Sequence, residues 1–157
     1  MDRVALGIAY DGTAYHGWQR QRGVSTVQAE LEGALSKIAN TRIKVSCAGR
    51  TDTGVHATQQ VVHFDVGVVR NSKAWIEGTN ALLPDDIAVV WMQTVSRAFD
   101  ARHSAIAQRY LYIIYNERQR SPIASNLYAR YFRDLQPAVM HEAAQALLGE
   151  QDFTSFR

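Results

Sequence analysis

At 157 residues, with 46% hydrophobic and 20% charged side chains, the chain has the composition of an ordinary soluble domain with a sizeable core, or of one small domain and part of another. A net charge of +2 selects no partner by itself, and no apolar run approaches a membrane span or the core of a signal peptide, which favours a cytoplasmic protein with no membrane partner. Cys47 is the only cysteine and the five histidines show no close pair at metal-ligand spacing, so no intramolecular disulfide and no cysteine-based zinc site are expected; no cofactor motif is present, and no cofactor is expected.

Val4 to Tyr10 alternates large and small residues and predicts a strand, after which Asp11-Gly12 and His16-Gly17 mark a loop. Ser25 with Gln28 three residues later reads as a capping box, and Val27, Leu31, Leu35 and Ile38 recur at helical spacing, giving a helix to about Ala39 that stops near Asn40. Two β-branched segments, Ile43 to Ser46 and Gln59 to Phe64, predict strands on either side of a loop. Residues 72–82 suggest a second helix ended by Pro84, and Ile87 to Met92 a further strand. Strand, helix, strand, strand, helix, strand is the ferredoxin-like (RRM-like) order: an α+β domain over residues 1–96, its antiparallel sheet covered by helices on one face. Many RNA-binding modules share this order.

A second, similar unit is expected over residues 97–157. Arg109 to Tyr115 alternates as a strand would, and Pro137 opens a helix through Met140, Ala144 and Leu147 with Gly149 placed to cap it. Only one strand and one helix of that unit are legible before the chain closes on Phe153-Thr154-Ser155-Phe156-Arg157, so the chain is expected to be a fragment that stops within its second domain.

Charge is unevenly spread. Residues 1–95 balance their charges, whereas between Arg97 and Arg133 the chain carries Arg97, Arg102, Arg109, Arg118, Arg120, Arg130 and Arg133 against only Asp100 and Glu117. The guanidinium fork matches phosphate and stacks on bases, so a nucleic-acid partner is favoured, although a solvated face has the same composition. Gly17-Trp18-Gln19-Arg20-Gln21-Arg22 places an aromatic and two arginines in one loop, as RNA contact would need and as a plain surface loop also allows. Arg70, Lys73 and Arg97 are further phosphate candidates, and His56 and His63 are expected to be structural.

The segment that carries chemistry is Ala48-Gly49-Arg50-Thr51-Asp52-Thr53-Gly54-Val55-His56-Ala57. It sets one carboxylate between two glycines, with an arginine two residues upstream, on a loop anchored by strands at both ends. Composition alone also allows a structural turn in which Thr51 and Asp52 bond the backbone. The whole word, however, resembles the active-site motif of the TruA family of tRNA pseudouridine synthases. Similar to that family too are Tyr10-Asp11-Gly12-Thr13, Gly17-Trp18-Gln19-Arg20-Gln21, Ser25-Thr26-Val27-Gln28, Asn80 to Pro84, Phe99 to Ala105 leading into Arg109-Tyr110-Leu111-Tyr112, and Asp152 to Phe156. Thr53 is a mild departure at a position the family often fills with alanine.

The resemblance implies an isomerase that converts uridine to pseudouridine at positions 38, 39 and 40 of the tRNA anticodon arm, without a cofactor, as a homodimer when full length. It implies Asp52 as the nucleophile. Arg50, Tyr110, Trp18, Arg20, Arg22 and Arg102 are the substrate-binding candidates. Arg50 would hold the displaced nucleotide or contact phosphate, and Tyr110 would stack on the target base or be a half-buried sheet residue. Family members run on further, and that part supplies a basic partner for the aspartate and an apolar wall of the uracil pocket. The alternative reading is a non-catalytic RNA-binding module of the same fold, in which the Asp52 loop is structural.

Overall fold

The computed structural model describes residues 2–156; Met1, Arg157 and the side chain of Phe156, at the end of the closing motif, lie outside the described residues. Two compact units divide the chain between Arg109 and Tyr110.

In the first unit, β1 (Asp2–Tyr10) is followed by α1 (Val27–Ala39), β2 (Ser46–Cys47), β3 (Ala57–Val66), a π-helical turn (Ala74–Gly78) and β4 (Ile87–Val95). The strands pair in the order β2-β3-β1-β4, every pairing antiparallel. This is the ferredoxin-like α+β arrangement that the element order implies. Period-two alternation puts Val4, Leu6, Ile8 and Tyr10 of β1 in the core, joined by Val62, Phe64 and Val66 of β3 and Ile87 and Val89 of β4. Against them pack Val27, Leu31 and Leu35 of α1 and Trp75 of the π-helical turn, whose ring meets Phe64 edge-on at 5.2 Å.

The other face of β1 is narrow. A Cβ on Gly7 would lie 2.1 Å from the Trp91 indole nitrogen, so only glycine lets that ring cross the strand. One residue later the β1–β4 register slips, Gly7 pairing with Trp91 and Ile8 with Val89, a bulge at Val90.

Several local expectations change. α1 starts at Thr26 rather than through a Ser25–Gln28 box, and Thr26 makes no side-chain cap. Its first amides are instead taken by the preceding loop: Val27 and Gln28 donate to the carbonyls of Gly17 and Trp18 at 3.3 and 3.0 Å. The helix stops where expected, at Asn40 in the left-handed conformation, with φ 49°. Ile43 and Val45 are buried but form no strand, because their amides are spent on α1 side chains, Ser36 Oγ at 2.9 Å and Glu32 Oε1 at 3.0 Å. The second helix runs over residues 72–80, close to the span expected, but is π-wound at Ala74–Gly78, with Asn71 Oδ1 accepting the Ala74 amide. At its end Asn80 pairs with both backbone groups of Val89, at 2.7 and 3.0 Å, and so covers part of the exposed edge of β4.

The first unit continues past β4 because residues 97–104 return to the sheet. Arg3 donates to the Arg97 and Phe99 carbonyls at 2.8 and 2.7 Å while gripping Asp65 with its other nitrogens, and the Ala101 amide donates to His63 Nδ1 at 3.0 Å.

In the second unit, β5 (Ile114–Tyr115) pairs in parallel with β6 (Ala129–Arg130), and α2 (Pro137–Ala144) continues as a 3-10 turn, Gln145–Leu147. The strand expected from Arg109 is realised only at residues 114–115, since alternation supplies propensity but a ladder needs a partner, and only that pair finds one. Pro137 opens α2 as expected. Its cap is Gln145, and Gly149 takes its φ of 85° after the 3-10 turn. Among the described residues no helix is long and apolar enough to cross a membrane.

Candidate functional site

The loop joining β2 to β3 is held from below by the segment that follows β1. Pairing runs one residue beyond β2, with the Ala48 amide donating to Val61 at 2.8 Å, and Gln60 then bonds both backbone groups of Gly49. Thr51 is tied twice: its carbonyl accepts the Trp18 amide at 2.9 Å and its hydroxyl lies 2.7 Å from the Tyr10 hydroxyl. The turn closes with the Val55 amide donating to the Asp52 carbonyl at 3.2 Å and the Gly54 amide to Tyr15 at 3.3 Å, Gly54 taking a φ of 78°.

Two glycines of the supporting segment make this contact possible. A Cβ on Gly12 would fall 2.0 Å from the Val55 carbonyl oxygen, and one on Gly17, where φ is +80°, 2.7 Å from that of Thr51. Tyr15 is buried beneath, donating to Asp86 at 2.5 Å; burial first, then that bond, pushes its phenol well above the ordinary range.

On this fixed backbone Asp52 is exposed, and its carboxylate makes no hydrogen bond or ion pair among the described residues. Arg50, also exposed, lines a cleft of about 560 Å³ together with Gln19, Cys47, Gly49, Arg102 and His103. Burial raises the Cys47 thiol above its usual range, opposed by the charges of Arg50 and Arg102, which both act on it. Arg102 owes its place to the strap of residues 97–104. There Asp100 Oδ1 accepts the Arg102 and His103 amides at 2.9 Å each, and those bonds, the His103 one foremost, hold its carboxyl below the usual range.

The structure therefore brings Arg50 and Arg102 to one cleft and sets Asp52 on the same loop as Arg50. Trp18 also borders this cleft, but it is 1% exposed, its ring 5.9 Å from that of Tyr10, and it packs in the core beneath the loop. Arg20 is exposed but paired: its guanidinium lies 3.4 Å from the buried Glu32 carboxylate and its amide donates to Gln28 Oε1 at 3.0 Å. Arg22 is exposed and has no hydrogen bond or ion pair among the described residues. Tyr110 begins the second unit and is exposed. Of the weaker phosphate candidates, Arg70 bonds the Ile38 carbonyl, Lys73 lies 3.7 Å from Glu77, and the Arg97 carbonyl is held by Arg3. His63 is buried in the sheet as an acceptor for the strap, and His56 Nδ1 sits 3.2 Å from the Gly12 amide and 3.0 Å from Asp11.

Sequence reading expected His63 to be structural, as it is, and missed Arg3, Glu32 and Asp100 as groups that shape the cleft. Arg3, Glu32 and His63 act on partners remote in the chain, which no local pattern marks, whereas Asp100 accepts amides two and three residues on.

Comparison with known proteins bears on the same region. Residues 7–104 match the family model described as tRNA pseudouridine synthase. Over 155 residues, 99% of this chain, the sequence is 57% identical to tRNA pseudouridine synthase A of Aeromonas salmonicida (strain A449) and 59% identical to that of Shewanella baltica (strain OS195). The chain spans 58% and 59% of the length of these two relatives. The matched interval takes in the Asp52 loop, the segment that supports it and the strap that delivers Arg102, and on that match the chain belongs to the tRNA pseudouridine synthase family.

Proposed function

We propose that the protein isomerises uridine to pseudouridine in tRNA, at positions 38, 39 and 40 of the anticodon arm, with Asp52 as nucleophile. The observation that carries this reading is an exposed carboxylate, free of partners among the described residues, on a loop whose backbone is pinned from beneath. A structural aspartate in a turn would spend its oxygens on nearby amides, as Asp100 does. The reaction breaks the bond between the sugar C1′ and uracil N1, forms one between C1′ and C5, releases the C5 proton and returns a proton to N1. No electrons enter or leave. Asp52 would add to the sugar or the base, or take a sugar proton.

Arg50 and Arg102, on one cleft, suit the phosphates around a nucleotide drawn out of the stack. For Tyr110 as the residue that stacks on the displaced base, the support is the family resemblance alone. Arg22 is a solvent-side phosphate contact. Arg20, neutralised by Glu32, serves better as a strut than as a ligand. The reading includes a cytoplasmic homodimer at the length of the relatives.

Tritium release from tRNA labelled at uracil C5 tests it, using the protein carried to the length of its relatives. Asp52→Asn is expected to abolish release while tRNA binding persists. Substantial turnover by Asp52→Asn would instead favour the RNA-binding module without chemistry of its own at this loop.

A further inference from the structure

The Asp52 carboxylate has no side-chain partner among the described residues, so its aim depends on the backbone that carries it. That backbone is held at both ends by one residue. Tyr10, the last residue of β1, pairs with Ala57 where the chain leaves the loop, and its hydroxyl lies 2.7 Å from Thr51 Oγ1 where the chain reaches Asp52. Tyr10 is 4% exposed and its ring is seated against Trp18, so the phenol cannot follow a shifting loop. Thr51 is β-branched, with restricted rotation about χ1, so fixing its hydroxyl also fixes the main chain beside Asp52.

We propose that Tyr10 and Thr51 form a positioning pair for the reaction, a hydroxyl clamp that sets where the Asp52 carboxylate meets the nucleotide. This rests on Asp52 being the nucleophile. The clamp touches neither substrate nor reacting atoms. A displacement of about 1 Å at a reacting group can cost on the order of a hundredfold in rate, so a single hydroxyl on the loop backbone is enough to matter.

The experiment measures kcat and KM for tritium release by the protein at the length of its relatives, with thermal melting alongside. Tyr10→Phe and Thr51→Val each remove one hydroxyl with little change of shape. Each is expected to lower kcat about ten- to a hundredfold, with KM for tRNA within about threefold and melting nearly unchanged. The double variant should be no slower than the worse single one, because both remove the same bond. Thr51→Ser, which keeps the hydroxyl, should recover most of the rate. The proposal is overturned if either single variant retains full kcat, if the two losses multiply, if the effect falls on KM, or if Thr51→Ser is as slow as Thr51→Val. Asp52→Asn, run in parallel, separates the two levels. Its inactivity beside a fully active Tyr10→Phe removes the clamp alone, whereas an active Asp52→Asn removes the nucleophile and the clamp with it.

Discussion

A carboxylate without side-chain partners is useful only if its main chain is rigid, and here rigidity comes from residues too small to be replaced. Gly17 combines a φ of +80° with a Thr51 carbonyl 2.7 Å from where a Cβ would stand, so strain and a backbone clash act together. Gly17→Ala is expected to cost about 1–3 kcal/mol in urea unfolding and to lower turnover beyond what the lost stability explains. Arg102 is the complementary case, a charge set on the cleft by backbone bonds to Asp100. Arg102→Ala should weaken tRNA binding and reduce the slope of log affinity against log salt by about one, with little effect on melting. The loop that carries Arg50 and Asp52 was legible in the sequence because its residues form a single continuous word. Trp18 was not, since an aromatic between arginines has the same spelling whether its ring faces water or Tyr10.

Among elements, the strap of residues 97–104 depends on a neutral imidazole. His63 Nδ1 accepts the Ala101 amide, with the Phe99 ring edge-on at 6.1 Å, the Asp100 carboxylate 3.9 Å from Nε2, and Arg3 and Asp65 also acting on it. Burial is the largest influence and lowers the pKa of His63 below its ordinary 6.5; Asp100 and Asp65 pull upward and Arg3 downward. The unfolded chain therefore takes up the proton first as pH falls. The stability this contributes is complete above about pH 6.5 and is lost as pH drops from there through the folded value. The melting temperature should fall as pH drops below about 6.5. His63→Asn, which keeps an acceptor and cannot titrate, should flatten that decline; an unchanged slope would count against the strap's dependence on His63. α1 and β1 were plain in the sequence because period and burial agree along them. The cap of α1 and the non-strand course of residues 43–45 were hidden, because their amides are satisfied by groups on other segments.

At the level of the whole molecule the two units differ in what they bury. The first has the continuous core described above, whereas none of the described residues of the second is buried, and Leu111 and Tyr112 are 84% and 81% exposed. Amide exchange should accordingly be slowest in β1, β3, β4 and α1 and fast throughout residues 110–155, read by mass spectrometry. Turnover is expected from the protein at the length of its relatives and not from these 157 residues alone. Equal rates would show that the candidate site is sufficient within this chain.

By itself, the sequence determined the ferredoxin-like order of elements, the start of α2 at Pro137, the stop of α1 at Asn40 and the loop that bears Asp52. Each of these follows from period, from a breaker residue or from a contiguous motif, all of them local. Only the tertiary structure decided that Trp18 is core, that Arg20 is neutralised, that Arg3 and His63 dock the strap, and that Tyr10 reaches Thr51. Those contacts join residues 41 apart for Tyr10 and Thr51 and 94 apart for Arg3 and Arg97. Whether a side chain meets water or a partner at such range depends on how the sheet closes, which no window of neighbouring residues contains.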